Sequence, residues 1–214
     1  MSSDPSLVLA SASPRRAAIL TRLGLTFEVL PSHVPEEVLE GEGAEAHVRR
    51  LAVEKVEEVR GLRPGALVLG GDTVVALGEE ILGKPADADE AVAMLLRLGG
   101  RTHRVVSGLA LGLPDGSLRA GTATTRVTFR PLDEFLARRY AETGEPLDKA
   151  GSYGIQGLGG ALVEEVRGDY HTVVGLPLPL FLDLLQEGGW RYAFGTIVPL
   201  VSSSGFPRRS GPSP

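Results

Sequence analysis

Leu7-Val8-Leu9-Ala10-Ser11-Ala12-Ser13-Pro14-Arg15-Arg16 passes from a short buried strand to a helix start with almost no loop between them. Ser13 suits the N-cap and Pro14 the first helical position, and Ile19, Leu20 and Leu23 give the following helix its apolar face before Gly24 stops it. Outward from this unit, Thr26 to Leu30 alternates as a strand and Ala44 to Arg60 is a helix with Val48, Leu51, Ala52, Lys55, Val56 and Val59 at helical spacing. Ala66 to Gly70 is a second buried strand with Gly71-Asp72-Thr73 at its end. Thr73 to Leu77 and Glu80 to Leu82 flank Gly78-Glu79 as a hairpin.

Asp87 or Asp89 caps the next helix, whose Ala91, Met94, Leu95 and Leu98 face inward. Strands His103 to Leu113 and Ser117 to Phe129 surround the turn Pro114-Asp115-Gly116, and a helix runs from Leu132 to Thr143. A glycine-rich stretch from Asp148 to Gly157 follows. Ala161 to Val166 and Tyr170 to Val174 are predicted strands, and Leu178 to Gln186 is the closing helix. Helices and strands mixed in this order predict an α/β fold with a mixed sheet, formed by one domain over 1–198. The Ser-, Pro- and Gly-rich residues 199–214 are expected to be a disordered tail.

Composition narrows the chemistry. With 43% hydrophobic and 23% charged residues the chain is ordinary for a globular protein, and the absence of cysteine excludes disulfides, thiol catalysis and cysteine-bound zinc. A net charge of −5 argues against nucleic acid as a partner. No apolar run approaches the ~18 residues of a membrane span, and the start from Met1 to Pro5 lacks the basic-then-apolar pattern of a secretion signal. A soluble cytoplasmic protein with no membrane partner is the expectation. Only three of 22 basic residues are lysines, Lys55, Lys84 and Lys149, so they mark places where a compact ammonium is wanted.

The N-terminus of the first helix presents free N–H groups and a positive dipole end, and Arg15 and Arg16 add two cations there, an arrangement that an arriving phosphate would stabilise. Asp72, read as standing where a buried strand emerges, can orient a water or hold a metal. Lys55 lies on the inner stripe of its helix, Lys84 and Lys149 on glycine-flanked loops, and Glu36 and Glu37 on an acidic loop. His33, His47, His103 and His171 form no His-x-x-x-His pair, and His103 and His171 read as partly exposed structural residues. No Walker-type phosphate loop occurs. An anion site, an aspartate, converging cations and a glycine-rich loop together suit a polyphosphate attacked by water with a divalent ion.

Six segments in order resemble the Maf family of nucleoside triphosphate pyrophosphatases: Leu9 to Arg16, Leu51 to Lys55, Gly71 to Val75, Leu82 to Pro85, Asp148 to Gly157 and Val173 to Leu178. The resemblance implies an elongated mixed β-sheet flanked by helices around a deep central cleft, as in Maf and ITPase-like proteins, and often a homodimer. It implies a nucleoside triphosphate substrate cleaved to monophosphate and pyrophosphate, with Mg²⁺ or Mn²⁺ as cofactor. By position, Asp72 matches the proton acceptor and a metal ligand, and Glu36 the acidic metal-binding residue with Glu37 in reserve. Ser13, Arg16, Lys55 and Lys84 match residues around the phosphates. Arg15, Thr73 and Gln156 match the trio of the branch acting on dTTP and UTP, whereas a sister branch acts on 7-methyl-GTP. Some members are associated with inhibition of septum formation, which leaves a non-catalytic nucleotide sensor as the rival reading. Departures are Gly71 and Ser152 where alanine is usual, and Pro35 beside Glu36.

Overall fold

Side chains alternate in β1 (Leu7–Leu9) so that Leu7 and Leu9 join one apolar core and Val8 another, on opposite faces of the sheet. The computed structural model describes residues 5–200. After β1 come α1 (Pro14–Arg22), β2 (Phe27–Val29) and α2 (Ala44–Arg60). Then follow β3 (Leu67–Leu77), β4 (Glu80–Leu82), α3 (Ala88–Leu98), β5 (Thr102–Gly112), β6 (Leu118–Phe129) and α4 (Glu134–Ala141). Three 3₁₀ turns (Glu145–Asp148, Ala150–Ser152, Leu158–Leu162) lead to β7 (Val163–Arg167), α5 (Tyr170–Val174), α6 (Leu178–Glu187), β8 (Trp190–Tyr192) and β9 (Ile197–Pro199). The main sheet has the order β2-β1-β3-β5-β6-β7, with β4 also on β3. β1 runs parallel to β2 and β3, and the remaining pairs are antiparallel, so the sheet is mixed as expected.

Among the described residues, α2 is the helix that covers one face. Val48, Ala52, Val56 and Val59 meet Val8, Ala10, Val68, Val74, Val106 and Ala110, the even-numbered residues of the central strands. The opposite face carries two separate cores. One joins Leu9, Leu69 and Leu111 to Ile19 and Leu20 of α1 and Phe181 of α6; the other joins Val75, Val105 and Phe129 to Leu95 of α3 and Tyr140 of α4. Ile155 packs against both.

The glycines of β3 and β5 serve this packing. A Cβ on Gly70 would stand 2.7 Å from the Ala52 carbonyl oxygen, and one on Gly108 would overlap the Val48 carbonyl. The Gly70-Gly71 pair, expected to end a strand, instead sits inside one that continues unbroken to Leu77: Gly70 lets α2 approach, while a Cβ on Gly71, on the opposite face, would stand 2.9 Å from a Leu109 methyl. Tyr170 to Val174, expected as a strand, is a short helix. Asp169 caps it by accepting from the His171 and Thr172 amides, and Gly175 at φ +111° ends it. Nor is α6 the last element, because β8 and β9 pair behind it. The expected tail lies outside the described residues apart from Pro199, which ends β9, and Leu200. Among the described residues no helix is long and apolar enough to cross a membrane.

Gly108→Ala is expected to lower stability by ~2 kcal/mol or more, a drop of roughly 4–8 °C in Tm, because backbone and not a flexible side chain fills the space. Gly61→Ala, with nothing within 4 Å of the added methyl, is expected to shift stability by less than ~0.5 kcal/mol. Calorimetric melts of the two variants check this, and equal Tm values would refute the packing role.

Candidate active site

β3 has β5 along one edge throughout, but its other edge is shared. β1 pairs there through Leu67–Leu69 and β4 through Val75–Leu77, which leaves residues 70–74 without a strand beside them. Leu67 N donates to Ser6 O and Leu69 O accepts from Ala10 N, so alternation turns the backbone N–H and C=O of Gly71 and Thr73 toward the same open edge. A cleft of about 380 Å³ occupies this gap. Asp72 and Thr73 point to opposite faces of the strand, yet both line it. The expectation that Asp72 stands at a strand end is therefore corrected: its own strand runs on, and the neighbour β1 is what stops.

All nine residues named from the sequence, Ser13, Arg15, Arg16, Glu36, Lys55, Asp72, Thr73, Lys84 and Gln156, line this one cleft. Glu37 does not; its carbonyl accepts from Arg50 at 3.0 Å. Sequence reasoning passed over Ser11, Ser32, Asp148 and Tyr153 as cleft residues, and gave Lys149 only a loop position. Ser11 and Tyr153 lie inside the quoted segments and were findable there. Asp148 heads the glycine-rich segment and was equally findable, whereas Ser32 carries no distinguishing local pattern.

Lys55 is the hub on the α2 face. It is only 5% exposed, and its Nζ lies 2.8 Å from Asp72 Oδ1 and 2.6 Å from Glu36 Oε1. Lys84 Nζ is 3.5 Å from Glu36 Oε2 and largely solvated. Burial pushes the Glu36 carboxyl up, but the Lys55 hydrogen bond and the charges of Lys55 and Lys84 outweigh it and hold Glu36 below the usual carboxylate range. The loop bearing Glu36 is tied to α2. Glu42 accepts both Arg50 Nε and an Arg50 terminal nitrogen at 2.7 Å, and the His33 amide donates to Glu58 at 2.9 Å. The Arg50 fork, helped by His47 and the Leu39 amide, pulls the Glu42 carboxyl down to about 2.

On the opposite face Arg16 is buried and fixed by three acceptors. Nε donates to Gly175 O at 2.8 Å, one terminal nitrogen to Ser11 Oγ at 2.9 Å and the other to Thr73 Oγ1 at 3.1 Å. Burial lowers its pKa while the Asp72 charge raises it. Ser107 Oγ donates to the Thr172 carbonyl at 2.8 Å, so in the 2.8 Å Thr73–Ser107 pair the donor is Thr73. With its hydroxyl hydrogen given to Ser107 and one lone pair given to Arg16, Thr73 retains a single acceptor position.

The glycine-rich stretch forms the facing wall but not as a phosphate cradle. The Gly154 amide donates to Tyr140 Oη, and the Leu158 and Gly159 amides donate to Glu145. Arg15 reaches across to Asp148, 3.8 Å away, and Asp148 also accepts from Lys149 at 2.6 Å. Beneath this wall His103 is 2% exposed, which corrects the expectation of a partly exposed residue. Its Nε2 is 2.9 Å from Tyr153 Oη, its ring meets Phe129 and Tyr153 edge-on, and its Nδ1 has no hydrogen-bond partner among the described residues. His171 lies on α5 beside Asp169.

A mixed sheet parted between two cores, with cations and carboxylates converging on the gap, defines an α/β protein built to hold a multiply charged ligand. Residues 6–188 match the family described as Maf-like protein, and the chain belongs to that family. It is 53% identical to the dTTP/UTP pyrophosphatase of Myxococcus xanthus, over 86% of this chain and 95% of that one. It is 46% identical to the dTTP/UTP pyrophosphatase of Symbiobacterium thermophilum, over 86% and 94% of the two chains. With the dTTP/UTP pyrophosphatase of Thermococcus gammatolerans the identity is 50%, over 85% and 96%.

Burial pushes the His103 imidazole down to about 4. The unfolded chain takes up this proton first, so the neutral buried ring stabilises the fold fully above pH ~6.5 and loses that contribution as pH falls toward 4. The loss is expected to reach about 3 kcal/mol. His103→Leu should lack this part of the acid sensitivity, as measured by urea unfolding at pH 7.5, 6.0 and 4.5. Parallel pH dependence in the two proteins would contradict a neutral buried His103.

Proposed function

We propose that this protein hydrolyses nucleoside triphosphates, dTTP and UTP by preference, to the monophosphate and pyrophosphate. The observation that carries the reading is the buried Asp72 carboxylate, held by Lys55 on the open edge of β3 and facing a cleft in which five cations meet three carboxylates. Oδ1 is engaged by Lys55, whereas Oδ2 has no partner among the described residues and is left to accept a proton. Water attacks the α-phosphorus, its proton passes to Asp72, and the bond from the α-phosphorus to the bridging oxygen breaks with pyrophosphate as the leaving group. General-base help of this kind is worth ~10²–10⁴-fold.

Lys55, Lys84 and Arg16 neutralise charge on the phosphate oxygens, and positioning plus electrostatics supply most of the acceleration. Glu36 and Asp72 offer hard oxygen donors, and Mg²⁺ is commonly held by one or two carboxylates together with substrate phosphates, so this pair suits Mg²⁺ or Mn²⁺. When bound, such an ion supplies further charge neutralisation at the phosphates. On the facing wall the Gln156 amide can pair with the N3–H and a carbonyl of uracil or thymine. Arg15 has only donors, which suit a carbonyl at position 4 and oppose the amine of cytosine.

Asp72→Asn keeps an oxygen for Lys55 but cannot act as a base. It is expected to lose at least ~100-fold in pyrophosphate release while binding UTP nearly as well as wild type. For the wild type, kcat/KM for UTP should exceed that for CTP by roughly tenfold or more, and EDTA should abolish turnover. Pyrophosphate release from dTTP, UTP, CTP and 7-methyl-GTP, with a calorimetric titration of the variant, tests the whole reading. Turnover by Asp72→Asn above about a tenth of wild type would remove the base assignment.

A further inference from the structure

Glu145 opens the first 3₁₀ turn and stands behind the glycine-rich wall, outside the cleft lining. Its Oε2 accepts the Leu158 amide at 2.9 Å, and its Oε1 accepts the Gly159 amide at 3.0 Å and the Tyr140 hydroxyl at 2.8 Å. Tyr140 Oη in turn accepts the Gly154 amide at 3.1 Å. A Cβ on Gly157 would stand 2.7 Å from the carboxyl carbon of Glu145, and one on Gly159 would overlap the Tyr140 hydroxyl. These glycines are therefore required by a carboxylate and a phenol that belong to the protein itself. Burial pushes the Glu145 carboxyl up, but the Gly159 and Leu158 amides, Tyr140 and Lys149 prevail, and it stays an anion below the usual range.

The structure assigns Glu145 as a positioning residue for nucleobase recognition: it is the fixed anion around which residues 154–159 are wound, and it determines where Gln156 stands. This rests on the proposed reading of Gln156 as a base contact. Asp72 and Lys55 sit on β3 and α2, and neither bonds to the Glu145 and Tyr140 pair. Loosening the winding should thus disturb recognition of the base and leave the hydrolytic step largely alone.

Glu145→Ala is expected to raise KM for UTP by roughly tenfold and to cut the preference for UTP over CTP by a similar factor, the scale of one mispaired polar group. kcat for UTP should stay within about threefold of wild type. Gln156→Ala should give the same pattern, and the two changes together should cost no more than either alone, since both remove one contact. Glu145→Gln, which keeps one carbonyl acceptor, should fall between. A fall in kcat with unchanged base preference, or effects of the two residues that multiply, would overturn the assignment. If the wild type turns over neither UTP nor dTTP, the functional reading fails by itself, and amide exchange of the nucleotide-free chain then decides. Glu145→Ala must lose protection at Gly154, Leu158 and Gly159 while α2 keeps its own, and retained protection at those three amides would overturn the winding.

Discussion

Between Leu69, where β1 ends, and Val75, where β4 begins, β3 has a neighbour on one edge only. A buried sheet does not tolerate such a gap cheaply, because unpaired backbone N–H and C=O groups cost free energy unless water or a ligand meets them. The fold keeps the gap open by building its apolar cores around it. The core under α1 and α6 and the core under α3 and α4 flank it, and Ile155 is the side chain that touches both. The rest of the site follows from this opening. β1 ends at the gap and delivers the start of α1 there, and α2 crosses the other face closely enough for Lys55 to reach in.

That reach is energetically demanding. A buried ammonium between two carboxylates must recover several kcal/mol of lost hydration per ion, and removal of one partner from such a group typically costs 3–5 kcal/mol. The compensation is visible. Lys55 bonds both Asp72 and Glu36 within 2.8 Å, and the Glu36 loop is tied back to α2 by Glu42 and Arg50. Arg16 meets the same demand with three neutral oxygens. Both cations are thus held in place before any ligand arrives, and preorganised charge of this kind does not have to rearrange during a reaction.

Much of this was legible in the sequence, for identifiable reasons. The α2 stripe fixed its own inward face, so a lysine in that stripe had to point at something polar, and it does. All the named cleft residues except Glu36 were found because short motifs carry them in order. What failed depended on distance in the chain. Gly70-Gly71 looks locally like the end of a strand, and only distant neighbours, α2 against Gly70 and Leu109 and Arg16 against Gly71, explain why the strand needs two glycines and continues. Tyr170 to Val174 is too short for a helical period to show, and its Tyr, Thr and two Val residues are of the types that favour strands. The glycine-rich stretch from Asp148 to Gly157 was counted toward a polyphosphate site, and nothing nearby indicates that Glu145 and Tyr140 occupy the space beside its glycines. His103 gives no local sign of being buried.

The two faces of the sheet bring different residues to the cleft. Even-numbered Asp72 looks toward α2, with Lys55 and Glu36, and odd-numbered Thr73 looks toward Arg16 and the wall bearing Gln156. The first set is anchored on a seventeen-residue helix and an eleven-residue strand, and the second partly on short turns wound about one carboxylate. The Gln156 wall is held by that carboxylate and by Ile155 between the two cores, and the Lys55 side by the longer elements. Because the strand alternates sides at every residue, adjacent positions 72 and 73 hydrogen-bond to different side chains, Asp72 to Lys55 and Thr73 to Arg16 and Ser107, and the two sets meet at the cleft between them.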